Sequence, residues 1–366
     1  MNIRKTFFAC AFSFAFSLAF SATVPNHHDS MNVSWRVLEN AQVAYDSAKY
    51  GEALNLANKA KASRKAEIEW ESYILESALS PLAVRRVGDF FSDVLNILRE
   101  RDENEAVAII ERYIRLNGES FYHNSVSELV SWVKAKAVYP EADFLIGKIY
   151  QLEGEFRTAY NFFEKARVER EFLEIPDMHY DILYAMVNLA REEGNFKNYE
   201  EALILILDSD ANFKNKTFQN AFMRILTAPK SENADRFFLI FRADSKNSLE
   251  ALYEYGNFHY KNGDLKSALM ASALGSIEAF THIYETICER DTSYSYTTYA
   301  NFLEKCGKYD DIMEWCESNH VWELMFQMAD RVRESGNTVL SDSFFEKIKS
   351  SMPDAYWQAE ASSKLK

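Results

Sequence analysis

Apolar residues recur at intervals of three and four along almost the whole chain, which is the spacing of one face of an α-helix. The stretch from Asp143 to Arg167 shows the pattern most clearly. Ile146 and Tyr150 share one helical face, Gly154 follows as a turn, and helical spacing resumes at Phe156. Alternating strand patterns are missing. The pattern therefore predicts an all-α protein built from helix–turn–helix hairpins.

Glycine followed by a polar residue marks the predicted turns, because glycine closes one helix in the left-handed conformation and a polar residue starts the next. After Gly154 the pattern recurs at Gly194, Gly263, Gly307 and Gly336, and Lys49 to Ala53 resembles it. Small or slim residues precede most turns, namely Gly147, Val187, Gly256, Ala300 and Ala329. They also follow them, at Ala53, Ala106, Ala159, Ala234 and Ala268. Such residues let paired helices approach to about 8–10 Å.

These features resemble the tetratricopeptide repeat, which has a Leu-Gly pair, a Tyr, and an Ala and Phe four apart, at a period of about 34 residues. The residues that match it best are Ile146, Gly147, Tyr150, Gly154, Phe156, Ala159, Phe163 and Ala166. The repeat's Trp and Pro are missing from this copy. A second fair copy ends at Pro353, and the others are degenerate. The resemblance implies a right-handed α-solenoid of stacked hairpins.

The repeats are unevenly spaced, which predicts additional helices between some of them. Anchors of the second helix of each hairpin fall at Ala53, Ala106, Ala159, Tyr199, Ala234, Ala268, Ile312 and Ser341. The longer steps predict extra helices at Glu67 to Leu79, Val126 to Val138 and Ser276 to Glu289. We expect irregular helical repeats over 33–139, a tetratricopeptide-like array over 140–353, and a capping helix with a tail over 354–366.

The N-terminus predicts export. Arg4 and Lys5 precede an apolar stretch that ends in small residues, which is typical of a secretory signal peptide over 1–21. A buried first helix and a lipidated Cys10 are the alternatives. A flexible lead-in over 22–32 would follow, and no later segment is apolar for long enough to span a membrane. The expected location is therefore the periplasm or the extracellular space.

The chain is acidic, with a formal net charge of −14. Loss of the signal peptide removes Arg4 and Lys5 and makes the charge −16. This charge argues against nucleic acid and anionic lipid as partners. Three cysteines remain after cleavage, Cys288, Cys306 and Cys316, and their spacing fits no metal or redox motif, so we expect small buried apolar residues.

No catalytic or cofactor-binding motif is present, so we expect neither enzymatic activity nor a cofactor or metal. The segment Asp208–Asn212 begins like a calcium loop. Phe213 then stands where the turn glycine should be, and Gln219 where the bidentate Glu should be. His27 and His28 lie in the lead-in, where a chance cluster is the simpler interpretation.

The first helix of each hairpin carries a stripe of residues three and four apart that, in proteins this chain resembles, points at a peptide. The candidate binding residues are Phe144, Lys148 and Gln151, then Tyr184, Asn188 and Arg191, then Tyr253, Asn257 and Tyr260, and finally Asn301. Asn can pair with a main-chain amide of any sequence, and aromatic rings add flat apolar area. The same side chains would serve equally well as packing between repeats.

The leading hypothesis is a non-catalytic scaffold of the cell envelope that binds a protein or an extended peptide in a concave groove. One alternative is an envelope enzyme that acts on cell-wall material and has an acidic cleft in a helical shell. Another is a homo-oligomer that docks through its C-terminal helix, Asp354 to Ser363. The sequence leaves the oligomeric state open.

Overall fold

The fold is known from a computed structural model, which describes residues 33–82, 91–118, 123, 125–228, 233–243 and 247–365. All regular secondary structure in these residues is helical, and the prediction of an all-α protein is confirmed. None of the described helices is both long and apolar enough to cross a bilayer. The predicted signal peptide and lead-in lie outside the described residues.

The chain divides into two compact units. The first comprises the described residues within Met1–Asn40 and Lys59–Ala137, and the second those within Ala41–Asn58 and Val138–Lys366. The helices up to Ala137 are α1 (Ser34–Asp46), α2 (Tyr50–Leu79), α3 (Phe91–Glu100), α4 (Asn104–Asn117) and α5 (Val126–Ala135). Helices α1 and α2 thus contribute residues to both units. The core of the first unit includes Leu75, Leu98, Ile110 and Val133.

The second unit contains the remaining helices. They are α6 (Pro140–Leu152), α7 (Phe156–Val168), α8 (Met178–Glu193), α9 (Phe196–Leu207), α10 (Ala211–Lys214), α11 (Lys216–Thr227), α12 (Ala234–Ile240), α13 (Leu249–Lys261), α14 (Leu265–Arg290), α15 (Tyr299–Cys306), α16 (Asp310–Ser318), α17 (Val321–Glu334), α18 (Thr338–Ser351) and α19 (Ala355–Lys364).

Helices α6 and α7 form the hairpin that the sequence marks most clearly. A Cβ at Gly147 would lie 2.5 Å from the ring of Phe163 and 3.3 Å from the carbonyl oxygen of Ala159. The glycine therefore lets the two helices come into contact where they cross. Gly154 closes α6 with a φ of +78°, a left-handed conformation that glycine adopts at little cost.

Hairpins of the same kind are α8–α9, α13–α14 and α17–α18, and the contacts between helices give their order. Helix α7 packs on α8, α9 on α13, α14 on α17, and α18 on α19. Helices α10–α12 and α15–α16 are therefore insertions, and α12 and α15 both pack on α18. The prediction that Ala234 and Ile312 anchor hairpins of the row is wrong. They lie on α12 and α16, and neither helix separates the hairpins that pack on each other, α8–α9 with α13–α14 and α13–α14 with α17–α18.

Two of the predicted extra helices are continuations of a preceding helix. Glu67–Leu79 belongs to the 30-residue α2, and 276–289 belongs to the 26-residue α14, whereas α5 is a separate helix. Neither continuation has a proline or a turn to break it. The expected turn at Gly51 is also wrong, because Gly51 lies inside α2 and Ala48 takes the left-handed conformation instead, with a φ of +58°.

Replacing Gly147 by Ala should destabilise the protein by about 1–3 kcal/mol, because the added methyl group overlaps the ring of Phe163. Gly51→Ala is the matched control. No atom lies within 4 Å of a Cβ built there, and alanine in a helix should stabilise by about 0.5–1 kcal/mol. Urea denaturation of both variants gives the two free energies. Equal effects would contradict the close crossing at Gly147.

Candidate binding face on the first helices

The first helices, α6, α8, α13 and α17, each precede a turn glycine with a positive φ. Side chains of α8, α13 and α17 that remain wholly or partly exposed form one surface, the first-helix face. It consists of Tyr184, Asn188, Arg191, Glu250, Tyr253, Glu254, Asn257, Tyr260, Glu323, Gln327, Asp330 and Glu334. Apart from the adjacent Tyr253 and Glu254, successive members on a helix are three or four residues apart, as the sequence pattern predicts.

Polar side chains connect α6 to α8 and α8 to α13. The amide nitrogen of Gln151 donates a hydrogen bond to the carboxylate of Glu192 at 2.9 Å. Arg191 Nη1 pairs with Glu254 Oε1 at 2.6 Å, and the Tyr199 hydroxyl donates to the other oxygen of Glu254. Glu254 therefore receives bonds from α8 and α9 together and fixes the position of α13 against both.

The start of α13 is held by a buried carboxylate. Glu278 of α14 is 3% exposed and accepts bonds from Ser248, from the hydroxyl at 2.6 Å and from the backbone N–H at 3.2 Å. Burial raises the pKa of Glu278 to about 7. The Tyr184 hydroxyl donates to the carbonyl of Asn247 at 2.8 Å and accepts from the N–H of Ala251 at 3.3 Å.

Two tyrosines of α13 reach across to α17. The Tyr253 hydroxyl donates to Glu323 at 2.8 Å, and its ring stacks on His320 with centroids 4.5 Å apart. Burial and the bond to Glu323 raise the pKa of Tyr253 to about 12. The Tyr260 hydroxyl donates to Glu334 at 2.7 Å, although the residue is 42% exposed. These bonds orient both carboxylates without neutralising them.

Beneath this surface lies a buried cation, Arg331, which is 3% exposed. Its guanidinium donates to the amide oxygen of Asn257 at 2.9 Å and to the carbonyl of Ala268 at 3.2 Å. It also lies 5.0 Å from the ring centroid of Tyr260. Burial lowers the pKa of Arg331 to about 10. A Cβ at Gly256 would be 3.0 Å from Nη1, so the glycine makes room for the guanidinium.

The structure places eight of the ten predicted binding residues on or beside this surface, but most of them bond to neighbouring helices. Phe144 is buried against Phe163, with centroids 5.7 Å apart, and belongs to the core. Asn301 lies on α15, one of the inserted helices and not a first helix, because its repeat was assigned to the wrong position. The predictions that Phe144 and Asn301 line the binding groove are therefore wrong.

Lys148 lies at the α6 end of the row, between aromatic rings. Its ammonium is 4.8 Å from the ring centroid of Tyr45 and 5.0 Å from that of Phe144. Burial lowers the pKa of Lys148, and the charges of Asp46 and Asp181 oppose this effect. Cation–π contacts thus hold the charge in place of a direct ion pair.

Several residues of the face were not found from the sequence. The partners Glu254, Glu323 and Arg331 are separated from the residues they bind by 55–74 positions. Each looks like an ordinary charged residue of an exposed helix. Only the helical spacing from Tyr253 to Asn257 and Tyr260 signalled that α13 has a polar, aromatic outer side.

Other candidate chemistry is sparse in the described part of the chain. No group of three metal-ligating side chains occurs there. Cys306 and Cys316 are buried free thiols whose pKa is raised by burial, and Cys288 is half-buried. In the first unit a cavity of about 370 Å³ is lined in part by Glu76 and Lys134, whose charged groups pair at 3.6 Å.

Asn257→Ala should cost about 1–3 kcal/mol of stability, because it leaves a donor of the buried Arg331 without its acceptor. Asn301→Ala removes an exposed side chain and should change stability by less than about 0.5 kcal/mol. Chemical denaturation at one pH compares the two variants. A neutral Asn257→Ala would show that the bond to Arg331 contributes nothing.

Glu278 should make stability depend on pH. Its folded pKa of about 7 exceeds its ordinary value of 4.5, so between these values the folded state binds more protons than the unfolded state. Stability should therefore fall as pH rises from about 4.5 through about 7, by roughly 1–3 kcal/mol.

Glu278→Gln keeps an acceptor for Ser248 and should remove this part of the pH dependence, measured by urea denaturation at pH 5 and pH 8. Glu289→Gln, at an exposed position of the same helix, is the control and should leave the dependence intact. An unchanged slope in Glu278→Gln would refute the assignment.

No family model matches the chain. The chain is similar to an uncharacterized protein of Treponema pallidum, with 26% identity over 339 residues that cover 92% of this chain and 91% of the relative. It is also similar to an uncharacterized protein of Borreliella burgdorferi, with 20% identity over 229 residues, which are 56% of this chain and 69% of the relative.

Proposed function

We propose that this protein is a non-catalytic scaffold of the cell envelope that binds another protein, or an extended peptide, on its first-helix face. In this proposal the second unit is a right-handed, tetratricopeptide-like solenoid. The order of contacts supports it, since each first helix packs on the second helix of the hairpin before it. Stacked hairpins of this kind bury their apolar sides against one another and leave an extended polar surface.

The observation that carries the proposal is the set of bonds between first helices. Arg191, Tyr253 and Tyr260 each bond to a carboxylate of the next first helix in the row. A surface held in this way loses little conformational entropy when a partner binds. It still presents tyrosine rings, amides and carboxylates to solvent, which are groups that recognise a polypeptide.

Export is the second part of the proposal and rests on the sequence. Residues 1–21 have the basic start, apolar middle and small-residue end of a secretory signal peptide. The net charge of −14 suits a protein that works away from nucleic acid. Enzymatic activity is the weaker interpretation, because an enzyme needs an accessible acid or nucleophile with an assisting group. Glu254 is tied to Arg191 and Tyr199, and Glu76 to Lys134.

Site-specific photo-crosslinking in the cell that produces the protein tests the proposal. The variant Tyr260→p-benzoylphenylalanine places the crosslinker on the first-helix face and preserves an aromatic side chain. Tyr356→p-benzoylphenylalanine is the control, at a tyrosine of α19 that is 62% exposed. We expect position 260 to give a covalent adduct with a second, different protein in the envelope fraction, and position 356 to give none.

Adducts at position 356 between two copies of this chain, with none at position 260, would favour self-assembly through the C-terminal helix. The absence of any adduct at position 260 would overturn the assignment of the face as a binding surface.

A further inference from the structure

Among the described residues, three carboxylates of the first-helix face form no ion pair with a lysine or arginine. Glu323 and Glu334 accept hydrogen bonds from Tyr253 and Tyr260, and a tyrosine hydroxyl brings no charge. The imidazole of His320 lies 3.9 Å from Glu323. Glu250 is exposed and forms no ion pair with a residue in the described part of the chain. The face is therefore polar, ordered and negative.

The environment of Glu250 shows the electrostatic consequence. Partial removal of its carboxyl group from water raises its pKa, and the charge of Glu254, one helical turn along α13, raises it further. Arg191 and His320 act in the opposite direction and do not cancel the shift. Two carboxylates one turn apart repel each other, and a cation bound between α8, α13 and α17 would relieve that repulsion.

Aromatic rings lie beside these charges. The ring of Tyr253 stacks on His320, and the ring of Tyr260 covers Arg331, which shows that this ring already accepts a guanidinium on one side. Arg and Lys side chains combine an apolar stem with a cationic head, so they can use a tyrosine ring and a carboxylate at the same time.

Charge decides between the possible occupants. Nucleic acid and anionic lipid carry the same sign as the face. A second copy that docked through the same surface would bring a second set of carboxylates against the first. A bound metal ion would need a group of ligands, and no group of three lies in the described residues. A basic polypeptide segment is the class that complements the surface.

We infer that the partner contributes a basic, extended segment, an inference that rests on the proposed function. Arg or Lys side chains of this segment pair with Glu250, Glu323 and Glu334 and lie against Tyr253 and Tyr260. The segment crosses α8, α13 and α17. The partner thus meets an anionic surface that stays fixed by the hydrogen bonds from tyrosine.

Fluorescence anisotropy of three labelled octapeptides tests the inference with purified protein. The probes are Gly-Arg-Ala-Arg-Gly-Arg-Ala-Arg and its counterparts with Gln or Glu at every Arg position. We expect the Arg peptide to bind, the Gln peptide to bind at least tenfold more weakly, and the Glu peptide not to bind. Binding of the Arg peptide should weaken when salt is raised from about 50 to about 300 mM, because screening shortens the range of the attraction.

The variant Glu250→Gln with Glu323→Gln should weaken the Arg peptide roughly tenfold and keep the acceptor for Tyr253. The matched control, Glu289→Gln with Glu314→Gln on α14 and α16, removes the same charge from exposed positions that are not part of the face and should have little effect. Equal loss in both double variants would show attraction to the net charge alone and would overturn the inference.

Equally tight binding of the Gln peptide would also overturn the inference, and the proposed function would survive it. If no peptide binds while position 260 still crosslinks a protein, the inference of a basic segment is refuted and the proposal of a binding face is retained. If position 260 crosslinks nothing either, both proposals fail.

Discussion

The second unit depends on glycine where its helices cross. At Gly147 and Gly275 an added Cβ would lie 2.5 and 2.6 Å from Phe163 and Leu324, closer than carbon atoms pack. The large side chain of one helix therefore rests directly on the backbone of its neighbour. These crossings join α6 to α7 and α14 to α17, which are neighbouring helices of the unit. Hairpins of about 30 residues have little core of their own, so their stability comes from these shared contacts.

A second constraint comes from polar groups that the close packing encloses. Arg331 is buried, and among the described residues its guanidinium donates to a side-chain amide and a backbone carbonyl, not to a carboxylate. Glu278 of α14 is also buried and accepts from Ser248. Buried polar groups cost free energy unless they are paired, so each of these residues specifies one position of α13. Because α13 is held in one position, the side chains that it contributes to the first-helix face are also fixed.

The insertions give the second unit a core that regular hairpins would lack. Phe238 of α12 lies 4.6 Å from the rings of both Phe280 and Tyr299, measured between centroids, and all three are fully buried. Asp235 fixes α15 by accepting from the N–H of Tyr299 at 2.7 Å. The segments that interrupt the repeat pattern are thus tied to one another, and α9 and α14 remain free to contact α13 and α17.

Helical periodicity and glycine punctuation determined the local structure: helix content, the hairpin at Gly154 and the turns at Gly194, Gly263 and Gly336 can all be read from spacing of a few residues. The side of α13 that carries Tyr253, Asn257 and Tyr260 was determined in the same way.

The tertiary structure alone decided which hairpins are neighbours, because α10–α12 and α15–α16 have the same helical periodicity as the hairpins they separate. It also decided that Phe144 is core, that Asn301 lies elsewhere, and that Asn257 binds Arg331. Those outcomes depend on contacts between residues far apart in the chain, and a local pattern carries no information about them.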